Sequence, residues 1–220
     1  MSYNDPTKTV GEVGAAVKRV FGDESGVQLV DNDIITWTNE AQHAIADTTK
    51  VLKSKAVTAM TNGTNTYSLS AVNPKILQIE SLLVNGRRIG NMSVAQAEES
   101  ISQADPLAEE TGFPAFWYEW AGEITFWPRP NIDAQITIRY TALPAVVTVN
   151  TDLLSVPDEF FSDVVTYVLQ KAYEMDENGQ MMGFKKQEFE DSMSQLTDEE
   201  RTAQNMTYET VTIYDYYDRF

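Results

Sequence analysis

Cysteine is absent from this 220-residue chain, which excludes a disulfide framework and thiol chemistry. Synthesis in a reducing cytoplasm fits that absence. Histidine occurs once, and without a second His or a Cys nothing supports a zinc site. No apolar run approaches the roughly 18 residues that a membrane-crossing helix needs. No basic stretch precedes an apolar one near the start, so no signal peptide is expected. Positive charge is scarce: 16 Lys+Arg stand against 33 Asp+Glu, a formal net charge of -17. A surface of that sign repels nucleic acid and anionic lipid. Internal repeats and low-complexity tracts are missing too.

Hydrophobic residues make up 42% of the chain, enough for a packed core. The length suits one domain, or one domain carrying an insertion. The acid is uneven. Residues 152–220 hold 16 Asp+Glu and 5 Lys+Arg, against 17 and 11 in residues 1–151.

Thr9 and Glu12 stand three apart, the spacing of a reciprocal N-terminal cap. Val10, Val13, Val17, Val20 and Phe21 then recur at helical period, and Gly22 can close the helix. A second helix is expected to start at Asp31 or Asp33, with Ile34, Trp37, Ala41, Ile45 and Leu52 along one face. These two segments should form an antiparallel pair. From residue 55 the period shortens to that of strands. "KAVTAM" and "TYSLS" around "TNGTN" read as a hairpin, and "KILQIESLLV" ends at Asn85-Gly86, a strong two-residue hairpin turn. Ser93 and Gln96 repeat the capping spacing ahead of a short helix through about Ser102. "AQITIRY" alternates, with Ile136, Ile138 and Tyr140 on one face. After Pro157, Phe161, Val164, Val165, Val168, Leu169, Ala172 and Tyr173 form a wide helical stripe. Asn178-Gly179 breaks the run, and Met182, Phe189, Met193 and Leu196 mark a last helix.

Three of the four tryptophans fall in "FWYEWAGEITFWPRP", residues 116–130. Ala121-Gly122 fits a two-residue turn, which places Phe116 opposite Trp127 and Trp117 opposite Phe126. Pro128 and Pro130 then stop the strand, because neither can donate to a ladder. Glu119 and Glu123 resemble a glycosidase pair, but this register puts them on opposite faces, where they cannot flank one glycosidic bond. The aromatics could stack on sugars or bases. Their presence on both faces fits a sheet covered on both sides better, and single-strand platforms also need interleaved Arg and Lys, here only Arg129 and Arg139. Phe116, Trp117, Phe126 and Trp127 are therefore assigned to a structural hairpin core. His43, between Glu40 and Asp47 on a helix, reads as a solvated group, so no metal, cofactor or catalytic residue is assigned. Arg87-Arg88 after the Asn-Gly turn suggests edge protection or a polar contact. No Gly-rich phosphate loop and no G-x-S-x-G elbow occur.

Three stretches taken in order resemble the head-to-tail connector, or adaptor, proteins of tailed bacteriophages, of the tail tubular protein A type. They are "DNDIITWTNEAQHAI" (31–45), "GFPAFWYEWAGEITFWPRP" (112–130) and "ITIRYTALPAVVTVNTDLLSVPDEFFSDVVTYVLQKAYEM" (136–175). The resemblance implies an α+β fold: a helical bundle from residues 1–53 and 156–199, with a β-rich insertion at 54–155. It implies a structural virion protein of the neck or tail, assembled in the bacterial host cytoplasm. Its partners would be itself in a dodecameric ring, the portal protein above and a tail or nozzle protein below. DNA would pass through the lumen without specific binding, and no membrane would be involved. An acidic wall that repels phosphate suits such a conduit.

Residues 200–220 match no pattern of that family. Tyr208, Thr210, Thr212, Tyr214 and Tyr216 alternate with Glu209, Val211, Ile213, Asp215 and Tyr217, a strand pattern without a partner nearby. The segment is expected to be an extended C-terminal assembly arm, with Tyr208, Val211, Ile213, Tyr214, Tyr216, Tyr217 and Phe220 meeting a partner. The alternative reading of the chain is a carbohydrate- or receptor-binding β module of a phage tail, carried by Trp117, Trp120 and Trp127.

Overall fold

A computed structural model describes residues 6–103 and 111–209. The chain is α+β and divides into two compact units: a helical one, up to Val51 and from Pro144 onward, and a sheet one, Leu52–Leu143.

The helical unit holds α1 (Val10–Phe21), α2 (Asp31–Thr49), α5 (Phe161–Met175) and α6 (Gly179–Glu209); α5 touches each of the other three. Helix α1 begins as its sequence dictates. Thr9 Oγ1 accepts from Glu12 N at 3.2 Å, and Glu12 accepts from Thr9 N at 2.9 Å. Gly22 ends it at φ 90°. Val10, Val13 and Val17 are buried, while Val20 lies outside the stripe and is 54% exposed. Helix α2 starts at Asp31 after Val30, which has no capping side chain. Asp31 instead pairs with Lys18 of α1 at 2.7 Å. Leu52 lies beyond the end of α2 at Thr49 and so leaves its apolar face.

The link into α5 belongs with the helices. Leu154 N donates to Lys8 O at 2.8 Å, Gly11 N to Asn150 O at 2.8 Å, and Ser155 N to the buried Gln42 side chain. Residues 144–155, assigned to the insertion on sequence grounds, therefore go with the helical unit, where their backbone amides find acceptors. Helix α6 also runs further than expected. It continues through Glu209, so residues 200–209, Tyr208 among them, are helical and not an extended arm. The apolar stripe thins after Leu196, but no breaker interrupts the good helix formers in "DEERTAQ". Val211, Ile213, Tyr214, Tyr216, Tyr217 and Phe220 lie outside the described residues.

The sheet unit holds β1 (Lys53–Met60), β2 (Thr66–Ser68), α3 (Leu69–Val72), β3 (Ile76–Val84), β4 (Arg87–Asn91), α4 (Val94–Gln103), β5 (Thr111–Gly112), β6 (Phe116–Trp120), β7 (Glu123–Trp127), β8 (Arg129–Pro130) and β9 (Ala134–Ala142). Seven strands form one sheet in the order β1-β9-β3-β4-β6-β7-β2, and β5 pairs with β8 separately. The expected hairpin around "TNGTN" does not form. β1 pairs with β9 and β2 with β7, both antiparallel. Pairing with β9 brings Ala56 and Thr58 opposite Ile138 and Ile136, whose faces are buried. "TYSLS" is strand only to Ser68 before α3 begins.

The Asn85-Gly86 turn does join β3 to β4, with φ of 48° and 80°. Ser93 caps α4 reciprocally with Gln96. The core includes Leu82, Val84, Trp117, Ile124, Phe126, Ile136 and Ile138, with Tyr67 set edge-on to Phe126 at 5.7 Å.

Candidate interaction surface

The β6–β7 hairpin turns at Ala121-Gly122, both left-handed at φ 51° and 77°. Glycine adopts that conformation without strain; alanine does not. The register is the one the turn dictates: Phe116 faces Trp127, Trp117 faces Phe126, Tyr118 faces Thr125, Glu119 faces Ile124 and Trp120 faces Glu123. Period-two alternation then sorts the side chains. Trp117 and Phe126 point into the core and are 3% and 0% exposed.

The opposite face is not covered as the sequence suggested. Phe116 is 42% exposed and Trp120 67%, while Tyr118 and Trp127 are half-buried. The result is an aromatic strip along one face of the hairpin. It continues onto β4, where Gly90 stands opposite Phe116 in a parallel pair, and a Cβ there would lie 2.8 Å from the Phe116 ring. The missing side chain is what lets the ring lie over β4.

The carboxylates of this hairpin do not converge. Glu119 shares its face with Trp117, and Glu123 shares the other with Trp120. His43 is exposed on α2, and its neighbouring carboxylates are engaged elsewhere: Glu40 with Lys171 at 3.3 Å, Asp47 with Lys50 at 2.8 Å. Among the described residues no cluster of His, Cys, Asp or Glu could hold a metal ion. No described helix is long and apolar enough to cross a membrane.

Two buried carboxylates were not singled out by sequence reasoning. Asp23 closes the loop between α1 and α2 by accepting from the backbone amides of Val27, Gln28 and Leu29 at 3.0, 2.9 and 2.8 Å. Those bonds, that from Leu29 foremost, hold its pKa below the usual range. The Asp-x-Ser-Gly run was the available signal. Asp163 on α5 is the reverse case. Burial pushes its pKa up, against the single hydrogen bond from Ser192 Oγ at 2.7 Å, and Glu188 adds to the rise. Both groups serve packing within the helical unit.

Charge divides sharply between the units. The sheet unit carries seven Lys+Arg and nine Asp+Glu, a net of -2, which leaves -15 of the total -17 on the rest of the chain. Five of those nine acids lie within residues 94–110. Outside residues 94–110 the sheet unit therefore carries seven Lys+Arg against four Asp+Glu. On the face that carries the aromatic strip, Lys55 of β1 stands directly opposite Arg139 of β9. Both are exposed, and among the described residues neither has an acidic partner.

One face of the sheet unit thus carries an exposed aromatic strip and a pair of exposed basic side chains. The SU10 adaptor protein family matches residues 8–211, and the chain belongs to that family. It is thus a bacteriophage head-to-tail adaptor, a structural component of the virion that assembles with other virion proteins. No curated protein matches the chain.

Proposed function

We propose that this adaptor forms a ring of identical copies between portal and tail and lines the channel through which DNA leaves the head, in the manner of the tail tubular protein A type. The family match across residues 8–211 carries this reading. The charge distribution supports it: a wall of net -15 per copy would repel phosphate and let DNA pass without gripping it. The ring is a dodecamer held by the portal above and a tail or nozzle protein below, built in the host cytoplasm and retained in the virion neck. The assembly arm is residues 210–220, shortened at its start because α6 continues through Glu209.

Light scattering of the purified protein, alone and with isolated portal rings, tests the reading. Twelve copies should join each portal ring. A chain that stays monomeric and never joins a portal ring would sink it. Deleting residues 210–220 should leave helix content unchanged and abolish ring formation or portal attachment.

A second reading rests on the 67% exposure of Trp120, on the same face of β6 as Phe116: a strip that stacks on sugar rings, as in a receptor-binding tail module. Quenching of tryptophan fluorescence by glycans, lost in Trp120→Ala, would favour it over the ring.

A further inference from the structure

The seven-stranded sheet has two edges, and they are unequal. Among the described residues, β2 offers three, Thr66–Ser68; β1 offers eight, Lys53–Met60, paired with β9 on one side only. A strand paired on one side presents a row of free amides and carbonyls on the other, a template for an added strand. The outward-facing residues of β1 are Lys53, Lys55, Val57 and Ala59, all exposed, with Val57 53% open to solvent. Lys53 already pairs with Glu80. Lys55 faces Arg139, a like-charge pair that is unfavourable without an anion nearby. The edge therefore discourages neutral or basic strands and suits an acidic one carrying an apolar residue two positions from its carboxylate.

Such a segment exists in the chain. Residues 210–220, "TVTIYDYYDRF", lie beyond the described residues and alternate in strand fashion. Eleven extended residues reach about 36 Å, more than the roughly 26 Å of β1. Ile213 and Asp215 are two apart, as are Val57 and Lys55 in the opposite direction. We propose that residues 210–220 of one copy add to the open edge of β1 of a second copy as an antiparallel strand, with Ile213 opposite Val57 and Asp215 opposite Lys55. This register also sets Thr212 opposite Thr58 and Val211 opposite Ala59. A parallel arrangement with Ile213 at Val57 would place Asp215 opposite Ala59 and leave the Lys55–Arg139 pair unrelieved. The pairing is head-to-tail, the kind of contact that closes identical copies into a ring. The inference rests on the proposed ring of copies.

The absence of cysteine makes the test direct. Full-length Val57→Cys and Ile213→Cys proteins are mixed under mild oxidation and compared with a Val57→Cys and Tyr214→Cys mixture, whose side chains would lie on opposite faces. The first mixture should give a two-chain product at least fivefold more abundant than the second. Lys55→Glu or Asp215→Lys alone should lower that yield severalfold, and the two together, one on each partner, should restore it. No cross-link between mixed chains, equal yields at 213 and 214, or charge swaps without rescue overturns the proposal. So does a double Val57→Cys, Ile213→Cys chain that closes on itself as a monomer. Light scattering on the same samples separates the two readings: rings that form without this cross-link overturn the arm's docking alone, whereas chains that stay monomeric with portal present overturn the ring.

Discussion

Trp117 stands opposite Phe126 inside the sheet unit, and one residue earlier Phe116 stands opposite Trp127 on a face left partly open to solvent. The same hairpin thus supplies a core pair and a surface pair, separated only by the alternation of the strand. Trp117→Ala removes a buried ring and should cost about 3–5 kcal/mol. Trp120→Ala, on the open face, should change stability by no more than about 0.5 kcal/mol. Denaturant unfolding of both variants checks the contrast; equal losses would mean that the open face is covered within the monomer.

Ala121 occupies the first position of a turn that needs left-handed backbone at both central residues. Ala121→Asn keeps a side chain that tolerates this geometry. It should stabilise the protein by about 0.5–1 kcal/mol, read as a rise in the denaturant midpoint at unchanged slope.

Asp163 lies in the first turn of α5, where the helix dipole favours a carboxylate, yet burial outweighs that and raises its pKa. A raised pKa means that the folded state holds this proton more tightly than the unfolded chain. Its contribution is therefore fully present below the unfolded Asp range and is lost as pH rises through the folded value. Asp163→Asn keeps an acceptor for Ser192 and carries no charge. It should melt higher than the wild type at neutral pH, and the gap should close as pH falls below the ordinary Asp range. A gap independent of pH would show that burial of the charge is not its source.

Removing the carboxylate that holds the α1–α2 loop should act locally. Asp23→Ala leaves the amides of Val27, Gln28 and Leu29 without their acceptor. Hydrogen exchange at those three amides should speed up at least tenfold, while the amides of β9 stay protected.

Free protein should not bind duplex DNA with micromolar affinity at moderate salt, given a net charge of -17. Fluorescence anisotropy across a salt series checks this; tight binding that weakens steeply with salt would contradict the repelling wall.

What the sequence made legible was local. Thr9 with Glu12, Ser93 with Gln96, and the turns at Asn85-Gly86 and Ala121-Gly122 each satisfy their hydrogen bonds within four residues, so the chemistry is visible in the order of the letters. The register of the aromatic hairpin followed from its turn. The partners of β1 and β2 were not legible, because β1 finds β9 across some seventy intervening residues and the choice rests on which buried face each strand completes. The parallel β4–β6 pair, and the open face it supports, escaped for the same reason. Asp163 carries no local mark of burial; its environment comes from α6, 29 residues away at Ser192.

The first and last strands of the sheet unit are neighbours, and Ala142 N donates to Leu52 O at 2.7 Å where the chain enters and leaves. To the helices on either side, the whole sheet unit is therefore as short as a tight loop: the entropy of bringing its ends together is met inside the sheet. A unit closed at its own neck can be exchanged, enlarged or deleted for a few linking residues without altering the span the flanking helices must bridge. Surfaces carried on the sheet can then diverge to follow a changing partner while the helical frame keeps its sequence.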